Sequence, residues 1–293
     1  MLKVSIVIPV FNDSYYLLKT LNSIYNQKNV SNISIETIVV DNGSNINIEK
    51  LIDESFDQVI YLKEIKNLNS PYSCRNRGIE VSTGEVIILL DATCVPDPNW
   101  LNNGLLFLNN SESDIIGGNV LFDFEEKLTS AKIFDSLTNI KMEESISKGI
   151  AKTANLFIKR NVFEIIGLFP EGVRSGADVR WTFKSTSAGL KLKFCQDAVV
   201  RKPARDFLEL IRKQWRVGTH QPLIRKEQGM RTSILSSIKT VIIPVNPFYI
   251  RRLVTSNKSK VFNSYFFRLL VVAQVVKWTM GFANIVGILR MKG

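Results

Sequence analysis

Histidine is nearly absent from this sequence of 293 residues, with His220 the single one. That excludes a multi-histidine metal site and any relay of imidazole bases, so proton transfer must fall to carboxylates. Cysteine is scarce too: Cys74, Cys94 and Cys195 are an odd number at wide spacing, with no Cys-x-x-Cys pair. Neither a disulfide framework nor a thiolate metal cluster follows from them, and a reducing compartment is expected. The apolar stretch after Met1 meets Pro9, Asn12 and Asp13, too soon for a secretory core and with no small-residue cleavage site, which points to the cytoplasmic side. Acids are missing from the end of the chain, none following Glu227. Residues 1–200 hold 20 basic and 24 acidic side chains, while 201–293 hold 18 and 3, so the net +11 divides into −4 and +15. With 45% apolar and 22% charged residues the chain is globular, not disordered.

What is present alternates. Residues 4–10 are a β-branched run suited to a parallel strand buried on both faces. A helix capped by Asp13 or Ser14 follows, with Leu17, Leu21 and Ile24 at helical spacing. Strands are predicted over 34–40, 59–62 and 85–90, with helices over 46–55 and 73–81 between them. This order implies an open, mostly parallel α/β sheet with flanking helices, whose ligands sit beyond the carboxyl ends of the strands; Asp13, Asp41 and Asp91 fall there. Farther on, 114–122 and 192–200 read as strands, and 124–148, 154–166 and 177–187 as helical. At Pro203 the composition turns basic and apolar, dividing the chain into an α/β domain (1–205) and a basic helical extension (206–293).

Five stretches in this order carry a resemblance: Val-Ser-Ile-Val-Ile-Pro-Val-Phe-Asn (4–12), Ile-Val-Val-Asp-Asn-Gly-Ser (38–44), Cys-Arg-Asn-Arg-Gly-Ile (74–79), Gly-Glu-Val-Ile-Ile-Leu-Leu-Asp-Ala (84–92) and Gly-Ala-Asp-Val-Arg-Trp (176–181). Together they resemble a family 2 inverting glycosyltransferase of GT-A fold over residues 3–205. The resemblance implies transfer of a sugar from a nucleotide diphosphate donor to a hydroxyl. It places Pro9, Phe11, Asp13, Asp41 and Asp91 around the nucleotide, and Arg75 and Asn76 near the diphosphate, where a guanidinium suits phosphate oxygens. It makes Asp178 the general base, although Ala177 stands where relatives have an acid. Relatives hold Mg or Mn through an Asp-x-Asp motif, which here reads Asp91-Ala92-Thr93, and many add a histidine where this chain has Lys202. A hydroxyl is a poor replacement for a carboxylate as metal ligand, so a lysine or arginine cation from Arg201-Lys202 in place of the metal is the expectation.

The tail resembles the basic aromatic segment of relatives around Lys213–Gly218, which makes Arg216 a diphosphate candidate, with Arg212 and His220 behind it. Residues 269–289 are largely apolar, but Lys277 would stand near the centre of a membrane-spanning helix at a cost of about 2.5–3.5 kcal/mol. On a helical wheel Arg268, Thr279 and Arg290 share one side and Gln274, Lys277, Gly281 and Asn284 another, so no single amphipathic face results. Cations interleaved with aromatic and aliphatic side chains suit an anionic lipid surface, and Pro244 and Pro247 interrupt any long helix before it. The expected partners are therefore a nucleotide sugar, a lipid-linked or glycan acceptor and the inner membrane face, not nucleic acid. Two other readings stay open: a catalytically degenerate homologue that binds nucleotide sugars, and a nucleic-acid binder suggested by the tail's charge alone.

Overall fold

The computed structural model describes residues 1–125, 127–257 and 260–291. The chain opens with β1 (Leu2–Val10), whose Val4, Ile6, Val7 and Ile8 are fully buried. Asp13 caps α1 (Ser14–Tyr25), its Oδ1 accepting from Tyr16 N at 3.3 Å, and Leu17, Leu21 and Ile24 turn inward. Then follow β2 (Ile33–Asp41), α2 (Ile48–Asp53), β3 (Val59–Lys63), α3 (Pro71–Val81) and β4 (Val86–Leu90). The strands lie parallel in the order β3-β2-β1-β4. Gly78 lets α3 settle on β1: a Cβ there would meet a Val7 methyl at 2.4 Å. Only a glycine permits that approach, and it sets the height at which the helix presents its first turn.

The remaining elements are β5 (Val95–Pro96), α4 (Trp100–Asn110), β6 (Ile115–Asp123), α5 (Ser130–Thr138), α6 (Met142–Ile146), β7 (Asn155–Lys159), α7 (Asn161–Ile166), α8 (Ala177–Ser187) and β8 (Leu192–Pro203). They complete an eight-stranded sheet, β3-β2-β1-β4-β7-β6-β8-β5, in which β7 runs antiparallel between β4 and β6. The stretch 154–166, expected to be helical, is corrected to β7 plus the short α7. A five-residue apolar run has no periodicity to separate strand from helix, and here the sheet edge of β4 decides. Asn155 fixes the strand: its Oδ1 accepts from Trp100 Nε1 at 2.8 Å and its Nδ2 donates to Ala198 O at 2.9 Å. The expected helix over 124–148 is likewise two short helices, α5 capped by Thr129 and α6.

The chain forms two compact units. The first holds residues Met1–Leu121 and Ile140–Lys202 with the sheet core; the second takes Phe122–Asn139 together with the chain from Pro203. The second unit therefore includes α5, from a stretch counted with the α/β domain in the 1–205 division. Its other helices are α9 (Phe207–Glu227), α10 (Ile234–Ile242), α11 (Pro247–Ser256), α12 (Lys260–Asn263) and α13 (Phe266–Arg290). A capping box of Asp206 and Glu209 starts α9. Ile133, Phe134, Leu210, Ile250 and Leu269 are buried in a core of this unit's own. Gly287 brings α13 against α9 so closely that a Cβ would lie 2.3 Å from Thr219 O.

α13 is long and apolar enough to cross a membrane, yet Leu269, Val272, Ala273 and Val276 are buried within the unit. Two polar side chains within it are also turned to protein: Lys277 Nζ donates to Ile243 O at 2.7 Å and Gln274 Oε1 accepts from Val245 N at 2.8 Å. The outward side is an apolar stripe of Phe267, Val271, Trp278, Phe282 and Leu289, all exposed. At 3.6 residues per turn these five fall within about 60° of the helix circumference.

Candidate active site

An open cleft of about 190 Å³ lies beyond the carboxyl ends of β1, β2 and β4, lined by Pro9, Phe11, Asp13, Asn42, Arg75, Asp91 and Thr93 among others. The loops that form it are tied together. Asn12, in the left-handed region at φ 53°, donates its N–H to Ser44 Oγ at 2.8 Å and accepts from Asn45 N through Oδ1 at 2.7 Å. Asp41 lies just beneath, buried, its Oδ1 accepting from Ser44 N at 2.9 Å and its Oδ2 from the Tyr61 hydroxyl at 3.1 Å. Burial and the Asp41 charge push the Tyr61 phenol well above its usual range, so it remains a donor. Asn42 Oδ1 is buried at the cleft with no hydrogen-bond partner among the described residues.

Deeper in the cleft two cations converge on one carboxylate. Arg75, only 3% exposed, donates through Nη2 to Asp91 Oδ1 at 2.7 Å. Lys202, 5% exposed, reaches Asp91 Oδ2 at 3.3 Å and also hydrogen-bonds Thr93 Oγ1. Buried cations drawn to a single acid leave a field that favours a further anion. A second buried pair adjoins this one: Tyr72, on the first turn of α3, donates its hydroxyl to Asp178 Oδ1 at 2.9 Å. Asp178 lies on the first turn of α8, directly after Gly176 in the left-handed conformation and Ala177.

The profile of glycosyl transferase family 2 matches residues 5–167. The chain belongs to glycosyl transferase family 2. It is 37% identical over 278 residues to the glycosyltransferase AglE of Haloferax volcanii, covering 92% of this chain and 91% of that one. Among solved structures it is similar to a mannosyltransferase of Pyrobaculum calidifontis in complex with GDP-Man and Mn²⁺, at a TM-score of 0.59, 17% identity and coverage of 99% and 74%. It is similar also to Staphylococcus aureus TarS 1–349 in complex with UDP-GlcNAc, at a TM-score of 0.57, 14% identity and coverage of 100% and 92%. The fold is the GT-A type, and this family 2 member is a glycosyltransferase.

Of the residues expected at its site, Pro9, Phe11, Asp13, Arg75 and Asp91 line the cleft, and Lys202 reaches it through Asp91 and Thr93. Asn76 does not. Both ends of its amide bond the backbone of Phe169, at 2.8 and 3.0 Å, so it braces α3 against the loop leading to α8. Arg216, Arg212 and His220 lie on α9 in the second unit, where His220 Nδ1 is 2.9 Å from Arg216 O. Sequence reasoning missed Tyr72 and Tyr61. Tyr72 stands one helical turn before Arg75, and that i, i+3 spacing is a signal that could have found it.

The divalent metal that the resemblance implies does not fit these residues. Thr93 offers a hydroxyl, the ammonium of Lys202 already bonds the two side chains that would be its ligands, and no group of three acidic, cysteine or histidine ligands exists among the described residues. A dication there would lie against a fixed buried cation.

Proposed function

We propose that this glycosyltransferase inverts configuration at the transferred sugar, works without a divalent metal, and uses two protein cations in its place. The observation that carries the reading is Lys202, buried and hydrogen-bonded to both Asp91 and Thr93, opposite Arg75 on the same carboxylate. The nucleotide would lie along Pro9, Phe11 and Asp13, above Asp41, with the diphosphate toward Arg75 and Lys202. The acceptor hydroxyl gives its proton to Asp178 as its oxygen bonds the anomeric carbon. The bond from that carbon to the diphosphate oxygen breaks, its electron pair leaves with the nucleoside diphosphate, and the two cations stabilise the charge.

The acceptor in this reading is the hydroxyl of a lipid-linked or polysaccharide glycan at the inner face of the cell membrane. The apolar stripe of α13 and the exposed Leu235, Ile238 and Ile242 of α10, together with the exposed Arg251, Arg252 and Arg268 of the same unit, suit attachment to an anionic surface without spanning it. Purified full-length protein assayed against a panel of nucleotide sugars should transfer or hydrolyse at least one of them equally with and without EDTA. Activity lost with EDTA and restored by Mn²⁺ refutes the metal-free reading; donor binding with no turnover on any acceptor identifies a degenerate homologue. Sedimentation with anionic vesicles, and its loss in Trp278→Ser/Phe282→Ser, checks the membrane arm.

A further inference from the structure

We propose that Tyr72 is the positioning residue for Asp178: its hydroxyl holds Oδ1, leaving Oδ2 to receive the acceptor proton. This rests on the reading of Asp178 as general base. Asp178 Oδ1 accepts two hydrogen bonds, from Tyr72 OH and from Val179 N, both at 2.9 Å, and no described residue donates to Oδ2. The two oxygens are therefore inequivalent before any substrate arrives. Asp178 itself is 9% exposed and stands on the first turn of a helix entered through a left-handed glycine, a place where backbone alone does not fix a short side chain.

Packing does not explain the hydroxyl. The Tyr72 ring is buried beside Phe169, at 5.8 Å between centroids, in a cluster that continues to Phe163 and Trp181; phenylalanine would fill the same volume. A buried phenol without a partner is costly, and its partner here is the one carboxylate with a role in proton transfer. Burial and the neighbouring Asp178 charge push the phenol well above its usual range, so it serves as a donor throughout the neutral range. On its other side the Arg75 guanidinium lies 5.4 Å from the ring centroid, and Arg75 in turn binds Asp91. One turn of α3 thus links the carboxylate assigned to the acceptor with the cation assigned to the leaving group.

The test is Tyr72→Phe in the full chain, with kcat, donor KM and nucleotide affinity measured separately. A base misaligned by a fraction of an ångström should lower kcat about 10–100-fold while donor KM and nucleotide affinity stay unchanged. Phe169→Leu serves as the packing control, since it loosens the same aromatic cluster and keeps the hydrogen bond. Wild-type kcat in Tyr72→Phe, or an equal kcat loss in Phe169→Leu at matched melting temperature, overturns the proposal. Asp178→Asn separates the two layers. If it stays active, the base assignment falls and takes Tyr72's role with it; if it is inactive while Tyr72→Phe is normal, only the positioning role falls.

Discussion

The two units of this glycosyltransferase use positive charge in opposite ways. In the first, Arg75 and Lys202 are buried and held on Asp91, where few acids are present to spare. In the second, Arg231, Lys239, Arg251, Arg252 and Arg268 stand exposed, as do Leu235, Ile242, Phe248 and Phe267, and the fully buried Asp135 is matched by Arg205 at 3.2 Å. A buried cation acts at short range on one anion, whereas exposed cations are screened within about 8–10 Å and act only on an extended surface. The net +11 is consequently no guide to function until it is divided by burial.

The most damaging way to break the contrast is Lys202→Ala. Removing one preorganised stabiliser of the leaving group should lower kcat about 10²–10³-fold, and added Mn²⁺ should not restore it, because Thr93 still offers only a hydroxyl. A variant that keeps its rate would show that the buried cation of the first unit is merely structural. Next comes Arg205→Ala, which leaves the Asp135 carboxylate buried without its guanidinium. Unfolding monitored by denaturant should show a loss of about 2–4 kcal/mol, with nucleotide affinity unchanged. A fall in kcat as large as that of Lys202→Ala would erase the distinction between the units.

The smallest effect concerns the thiols, all three of which are buried in the first unit. Burial pushes Cys74 up to about 12. Its folded form keeps the proton while the unfolded chain ionises from about pH 9, so stability is lost as pH rises from 9 toward 12 and is untouched below 9. The urea midpoint should therefore drop more between pH 8 and 10.5 in the parent than in Cys74→Ala. Identical drops would show that this thiol is not linked to folding.

Much of the first unit was legible because its signals agree. The run of β1 rich in valine and isoleucine, the Asp13 cap and the Gly-Ala-Asp start of α8 each point to one local structure, and the chain adopts it. β7 was not legible, since Asn155–Lys159 is apolar without a period and becomes a strand only through its neighbour β4. Nor was the partnership of α5 with the later helices, because Ile133 and Phe134 carry no mark of which distant surface will cover them. Motif order singled out Arg75, Asp91 and Asp178, and the first two line the cleft. Asn76 shared that motif, yet its amide bonds Phe169, and Tyr72 lay just outside it, meeting Asp178 across 106 positions of sequence. Such pairings are made by the fold, and local sequence does not contain them.

The split composition of the second unit has a consequence for how the molecule is made. Ala131, Ile133, Phe134 and Leu137 share a core with residues of α13, which stands far along the sequence from them. A growing chain must therefore carry this apolar stretch uncovered until α13 has been translated, a period in which it is prone to aggregate. For the same reason the helices from Pro203 onward cannot be trimmed away as a dispensable end: a shortened protein would expose the very surface they exist to cover.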